Sequence, residues 1–463
     1  MKLQPDMDNI KHRLTAISLL DGRNWDKVRG VSEYFSEFAL IKHRVFIEIR
    51  YLLYLSEKTN LLRKFNPKEK IFLNNIGENF TLKDAAEVKA IEKKLNHDVK
   101  AVEYFLRRKL EKSSLKDVTE FIHFGLTSYD INIPSYALMM TGFRDKVILP
   151  TAHKIRDLLK NLIIETKNMN MLARTHGQPA LPTTMGKELA VYYRRILKEI
   201  EMIRTYKFEA KLNGAVGNFN AFYFINPKFD WMTFSSSFII SLRLKSNLIT
   251  TQILPYDNWI EFFDSLKRLN FIFLGLSIDF WWYISMEYFL QKKKKEEVGS
   301  STMSHKINPI TFENAEGNLG LANSLFEFFA RKLSYSRLQR DLSDSTVKRN
   351  FGLAFGFTIL AWDSLISGLN RIQPNPDKMR EDLDSNWEIF SEGIQIFLRF
   401  HGYKNAYELL KEETRGKRLS RDKLFDIIDR LPIKSAHKQI LKIKDLREYG
   451  GIAEKLAQLS VKS

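Results

Sequence analysis

Cysteine is absent from all 463 residues, which excludes disulfides, thiolate metal sites and cysteine nucleophiles and suits a cytoplasmic location. Glycine and proline are few, 21 and 12. They sit mainly in short gaps such as Asn213-Gly214-Ala215-Val216-Gly217 and Gln373-Pro374-Asn375-Pro376, and alternating β patterns are equally scarce. There is no repeat with a period of 20–50 residues and no long low-complexity tract. No apolar run reaches the roughly 20 residues that a bilayer requires. The most apolar segment, Phe271 to Met286, carries Asp279 and reads as a buried helix, so no membrane partner is expected. Lys11, His12 and Arg13 precede the apolar run Leu14–Leu20, a faint echo of a signal peptide. That run is seven residues long and leads into Asp21-Gly22-Arg23 without a small-residue cleavage site, so no export signal is expected. Neither a glycine-rich phosphate loop nor a metal-ligand cluster occurs, and no cofactor or metal is expected.

What is present is charge, phenylalanine and helical periodicity. Lys and Arg number 73 against 55 Asp and Glu, a net charge of +18. Such an excess invites a nucleic-acid reading, but nothing groups the 34 phenylalanines into base-stacking sites. A solvated, lysine-rich surface is the better account; no nucleic-acid partner is expected, and the charge would help attract an anionic substrate. With 44% hydrophobic and 28% charged residues, the chain is globular and long enough for two or three domains. Glu92 to Lys112 places Leu95, Val99, Val102 and Leu106 on one helical face. The segments 147–168, 185–211, 259–291, 310–332 and 351–371 read the same way, and 259–291 is apolar on most of its circumference. The expected architecture is all-α, with three helical domains: 1–118, a long-helix bundle over 119–363, and 364–463.

Three words carry chemistry. Gly299-Ser300-Ser301-Thr302-Met303-Ser304-His305-Lys306-Ile307-Asn308-Pro309 combines a hinge, hydroxyls and a cation. Its Asn308-Pro309 resembles an N-cap with proline at the first helical position, a setting for anions, although an ordinary polar loop and cap would look alike. Ala173-Arg174-Thr175-His176-Gly177-Gln178-Pro179-Ala180 holds a histidine, the natural proton donor near neutrality; a lone histidine is more often structural. His123-Phe124-Gly125-Leu126-Thr127-Ser128-Tyr129-Asp130 holds a hydroxyl pair that composition alone would read as a helix cap.

The first word closely resembles the signature of the fumarase/aspartase superfamily. Its continuation Ile310-Thr311-Phe312-Glu313-Asn314-Ala315-Glu316-Gly317-Asn318 is similar to the bacterial adenylosuccinate lyases in particular. Further family-like words follow in the same order: Asp21-Gly22-Arg23, Asn96-His97-Asp98, Thr250-Thr251-Gln252, Gln339-Arg340-Asp341, Ser345-Thr346-Val347-Lys348-Arg349 and Thr414-Arg415-Gly416-Lys417-Arg418. The resemblance therefore covers nearly the whole chain. It implies a fumarase/aspartase-like bundle and elimination of fumarate from adenylosuccinate, giving AMP, and from the succinylated aminoimidazole carboxamide ribotide (SAICAR), giving AICAR. It implies Ser300 as base and His176 as acid. Substrate contacts are implied at Arg23, Asn24, Asn96, His97, Asp98, Thr127, Ser128, Gln252, Ser301, Lys306, Ile307, Asn308 and Asn314. The segment gripping the nucleotide phosphate maps onto Arg340, Ser345, Thr346, Val347, Lys348 and Arg349. A homotetramer with shared active sites is implied as well. The alternatives are another lyase of the superfamily, such as an argininosuccinate lyase, or a catalytically silent helical scaffold or basic nucleic-acid binder. Four residues depart from the family pattern: Ser304 for proline, Asn24 for tyrosine, Tyr129 at a position often small or acidic, and Lys348 for an aliphatic residue. Without the proline the loop has a free φ and should be more flexible when open.

Overall fold

The structure is a computed structural model that describes residues 7–292 and 306–462. Helices dominate, and the described strands form three two-stranded pairs, so the all-α expectation holds. The chain divides into two compact units. The first comprises Met1–Ala152, Glu199–Phe271 and Gly317–Asp363; the second comprises His153–Lys198, Ile272–Glu316 and Ser364–Ser463. Five long helices, Leu149–Thr166, Met185–Thr205, Asp257–Ser285, Ile310–Leu333 and Phe351–Leu369, each contain one of the five chain crossings between units. The longest has 29 residues, or roughly 43 Å at 1.5 Å per residue.

The first unit has an aromatic core. Phe35 stacks on Phe355 with ring centres 4.7 Å apart, and Phe263 meets Phe351 at 5.0 Å and Phe326 at 5.7 Å. These phenylalanines therefore serve packing, each pair adding a little beyond the area it removes from water. In the second unit Leu172, Leu383, Trp387, Phe390, Leu398 and Leu424 form the carboxy-terminal core.

Several helices end earlier than their hydrophobic period suggests. The expected helix Glu92–Lys112 is two: Leu82–Leu95 and Asp98–Leu110. Asn96 adopts a left-handed φ of 50° and His97 caps the second helix, its Nδ1 accepting from Lys100 N at 3.1 Å. Leu95 is consequently 42% exposed while Val99, Val102 and Leu106 are buried. The segment 185–211 stops being helical at Thr205, and Glu209–Ala210 pairs with Lys245–Ser246 as a parallel strand. The helix expected to reach 291 stops at Ser285. Glu287 has φ +60° there, Tyr288 N donates to Tyr283 O and Glu287 N to Ile284 O, which is a Schellman ending. Phe289–Gln291 then pairs with Ile372–Pro374. The apolar helix is not buried all round either, since Phe271 is 47% and Trp282 55% exposed. The segment nearest to a membrane span by length and composition is 343–369 rather than 271–286, and 67% of its most apolar window is buried.

Candidate active site

In the first unit, one helix supports the segments that carry the site residues. Arg44, Glu48 and Tyr51 lie at i, i+4 and i+7 on the helix Glu37–Lys58 and so share one face. All three are buried. Arg44 Nε donates to Asn132 Oδ1 and its Nη2 to Asp98 Oδ2, both at 2.7 Å; Tyr51 donates to Phe124 O at 2.7 Å. Glu48 Oε1 lies 2.6 Å from His123 Nδ1. Burial lowers the pKa of His123, but the adjoining Glu48 outweighs it and the net shift is upward. Protonated His123 is thus favoured in the folded protein, so its contribution to stability is complete below the ordinary histidine pKa of about 6.5 and is lost as pH rises through the higher folded value. Thermal melts of the wild type and Glu48→Gln across that range should converge as the pH increases. A constant gap would remove the charge from this contact.

Asp130 ties three loops together. It is fully buried and accepts from the backbone N–H groups of Thr127, Asn213 and Gly214, each at 3.0 Å. Its partner is Lys211, also fully buried, at 2.9 Å. Lys211 Nζ donates in turn to Gly214 O at 3.2 Å and Gln252 O at 3.0 Å. The loop 213–217 lies hard against 250–251: Gly217 has φ +83°, and a methyl group there would overlap the Thr250 carbonyl. Gly217→Ala should therefore cost more than about 2 kcal/mol and displace Gln252. An unchanged urea midpoint with unchanged KM would contradict this close approach.

On this base the residues expected to hold substrate come together in two groups. Gln252 bridges Thr127 and Arg340: its Nε2 donates to Thr127 Oγ1 at 3.4 Å, and its Oε1 accepts from Arg340 Nη1 at 3.2 Å. Asp98 Oδ2 accepts from Arg44 and, at 2.9 Å, from Arg349 Nη2, while Arg349 Nη1 donates to Glu37 at 2.8 Å. Burial would raise the Asp98 pKa, but Arg44, the Val99 amide and Arg349 hold it below its ordinary value. Arg349 also lines a cavity of about 490 Å³ with Asp21, Trp25, Ser32 and Ser36. This sets Asp21 of the amino-terminal Asp-Gly-Arg word beside the word that ends in Arg349, with Arg23 exposed and Asn24 half-buried. Ser128 opens the helix Ser128–Phe143 and Asn96 and His97 form the junction before Asp98.

The short helix Ser343–Lys348 is mixed in what it presents. Thr346 is exposed, Ser345 half-buried and Val347 buried. Lys348 is also buried, bonded to Asp344 and to the Tyr256 hydroxyl. Burial lowers its pKa to about 8 against the pull of Asp344.

The second unit holds the remaining words. His176 and Gly177, with φ +52° and +74°, form the two-residue turn between strands Asn170–Thr175 and Gln178–Thr184, the geometry of a primed hairpin turn. His176 is exposed at its tip. The hairpin is fixed at its base by Leu172 in the carboxy-terminal core and by Arg174, 3.6 Å from Asp382. Ile307 O accepts from Gln291 Nε2 at 2.9 Å. The helix Ile310–Leu333 starts where the periodic segment 310–332 does, and Pro309 precedes it instead of being its first residue, Pro309 O accepting from Phe312 N and Glu313 N. Lys306 and Asn314 are exposed and Asn308 is half-buried. Ser300 and Ser301 lie outside the described residues.

Residues 56–322 match the family described as lyase, and residues 336–449 the adenylosuccinate lyase C-terminal family. The chain is 44% identical to the adenylosuccinate lyase of Haemophilus influenzae over 448 residues, covering 96% of this chain and 98% of that one. It is likewise 44% identical to the adenylosuccinate lyase of Escherichia coli K12, covering 95% and 97%. The chain belongs to the adenylosuccinate lyases. Solved structures agree on the fold. A fumarate lyase from Mesorhizobium sp. BNC1 superposes with a TM-score of 0.73 at 16% identity, over 95% of this chain and 98% of that one. A 3-carboxy-cis,cis-muconate lactonizing enzyme from Pseudomonas putida gives 0.76 at 17%, over 94% and 96%.

Membership in the adenylosuccinate lyases makes the chain a lyase and favours that reading over another enzyme of the superfamily or a silent scaffold. Within this lyase, sequence reasoning missed the residues that hold the site rather than form it: Arg44, Glu48, Lys211, Asn213 and Asp344. A signal for two of them was present, since Arg44 and Glu48 are charges four residues apart on an otherwise apolar helical face.

Proposed function

We propose that the enzyme eliminates fumarate from adenylosuccinate, leaving AMP, and from SAICAR, leaving AICAR. A base removes the proton from the carbon beside a carboxylate, that electron pair becomes the new C=C bond as the C–N bond breaks, and an acid protonates the departing nitrogen. Ser300 is assigned as base and His176 as acid. The charge that builds on the neighbouring carboxylate needs fixed donors and a cation; Thr127, Ser128, Ser301, Lys306 and Asn308 are assigned to it, and Ile307 and Asn314 to substrate contact. Asn96, His97, Asp98 and Gln252 are assigned to substrate contact, and Arg23, Asn24, Arg340, Ser345, Thr346 and Arg349 to the nucleotide and its phosphate; Val347 and Lys348 of the same stretch are buried and are left out of it. The reaction is two proton transfers and electrostatic stabilisation, so no cofactor is assigned. The observation that carries the reading is the hydrogen-bonded run Thr127–Gln252–Arg340: residues 125 and 88 positions apart, each matched to substrate binding on its own, are in contact.

Ultraviolet absorbance after adding adenylosuccinate tests it directly, with AMP and fumarate identified as products. No change with adenylosuccinate, or turnover of argininosuccinate instead, would overturn it. We further assign a cytoplasmic homotetramer of three-domain chains, divided at 118 and 363, with active sites shared between subunits and no nucleic-acid or membrane partner. The exposed Phe271, Trp282, Leu321 and Phe328 on the long helices support the assembly, because large apolar side chains on long helices favour burial against other helices.

A further inference from the structure

Lys348 and Tyr129 both depart from the family pattern, lie 219 positions apart, and meet in the folded chain. Lys348 Nζ is 3.5 Å from the Tyr129 hydroxyl and 4.5 Å from its ring centre. Asp344 closes the cluster, accepting from Tyr129 at 2.6 Å through Oδ1 and from Tyr256 at 2.8 Å through Oδ2, with Lys348 bonded to that same Oδ2 and to the Tyr256 hydroxyl. Lys348 is 2% exposed. Its three ammonium hydrogens are accounted for by Asp344 and the two hydroxyls, so it does not reach out to a ligand. A buried lysine–aspartate pair repays its desolvation only when further hydrogen bonds complete it, and the two tyrosines supply them.

The cluster meets the site at Arg340. Arg340 Cζ lies 4.4 Å from the Tyr129 ring centre, in range for a cation–π contact. Its Nη1 is bonded to Gln252, and its Nε is buried with no hydrogen-bond partner among the described residues. The ring on which Arg340 rests is itself held by the hydroxyl bond to Asp344, and Asp344 is held by Lys348.

We propose that Lys348 and Tyr129 are positioning residues: through Asp344 and the Tyr129 ring they hold Arg340, and with it Gln252, in place for the substrate's phosphate. This rests on the assignment of Arg340 to that phosphate. A structural ion pair alone would support the fold without distinguishing one ligand from another. A positioning role is specific to the ligand that Arg340 touches.

Calorimetric binding of AMP and of adenosine separates the two. Lys348→Met and Tyr129→Leu should each weaken AMP about tenfold and leave adenosine unaffected. Arg340→Ala should weaken AMP further, and adding Lys348→Met to it should cause no additional loss, because both changes act on one contact. In turnover, Lys348→Met should raise KM for adenylosuccinate more than it lowers kcat. Equal weakening of AMP and adenosine, or additive losses in the double variant, would overturn the positioning role. AMP and adenosine affected alike by Arg340→Ala would instead overturn the phosphate assignment beneath it. If Lys348→Met does not fold, Tyr129→Leu decides: it keeps the Lys348–Asp344 pair, and unchanged AMP affinity would refute the proposal.

Discussion

Ser300→Ala is expected to lower kcat by about three to four orders of magnitude while substrate still binds. The proton to be removed sits on carbon beside a carboxylate, and its loss puts a second negative charge onto that carboxylate. A serine hydroxyl is far too weak an acid to be ionised in water near neutrality. To act as base it must be surrounded by amide donors and positive charge in a site closed to solvent. Lys306, five residues beyond Ser301, is the lysine of the same word. If Ser300 is the base, alanine removes the proton acceptor but leaves the carboxylate and phosphate contacts, so the loss should appear in kcat and not in the calorimetric affinity of the inactive variant for adenylosuccinate. Turnover within tenfold of the wild type would remove Ser300 from the role of base. An equal loss of affinity would make it a binding residue.

The long helices were legible because their apolar positions recur with the helical period over 18 or more residues, and that period depends on burial alone. Their ends were less legible because neither terminator is the glycine that most often marks one. Glu287 occupies a left-handed position where glycine is the usual choice, and Asn96 and His97 interrupt an apolar period that continues in the sequence across them. The words around Thr127, His176 and Ser300 stood out as contiguous strings. Their supports did not, because support here is distributed: Glu48 reaches His123 across 75 positions, and Lys211 reaches Gln252 across 41. Tyr129 and Lys348 were visible separately as departures from a pattern, and only the fold makes them neighbours. The same holds for the phenylalanines, whose abundance in the sequence is explained by the core they build in the first unit.

Asp130→Asn is expected to be the most damaging change outside the proton-transfer residues. Asp130 and Lys211 are both 0% exposed and 2.9 Å apart. Two opposite charges in that position compensate each other, whereas neutralising one leaves the other desolvated and uncompensated, a loss of about 3–5 kcal/mol. The carboxylate is also an acceptor for three backbone N–H groups, from Thr127, Asn213 and Gly214. An asparagine side chain offers one acceptor oxygen and turns an N–H₂ toward the other donors, so at least one amide faces a donor instead of an acceptor. The resulting shift reaches Thr127 directly and Gln252 through Lys211, the two residues that join the hydroxyl pair to Arg340. Urea unfolding should show the stability loss, and kcat/KM should fall by more than about a hundredfold at temperatures where the variant stays folded. Lys211→Met alone should be comparably unstable, because it strands the carboxylate. The double variant should be less destabilised than the sum of the two, since neither charge is then left alone. Additive single losses would show that the two groups act separately, and that the loops carrying Thr127 and Gln252 are held by something other than this pair.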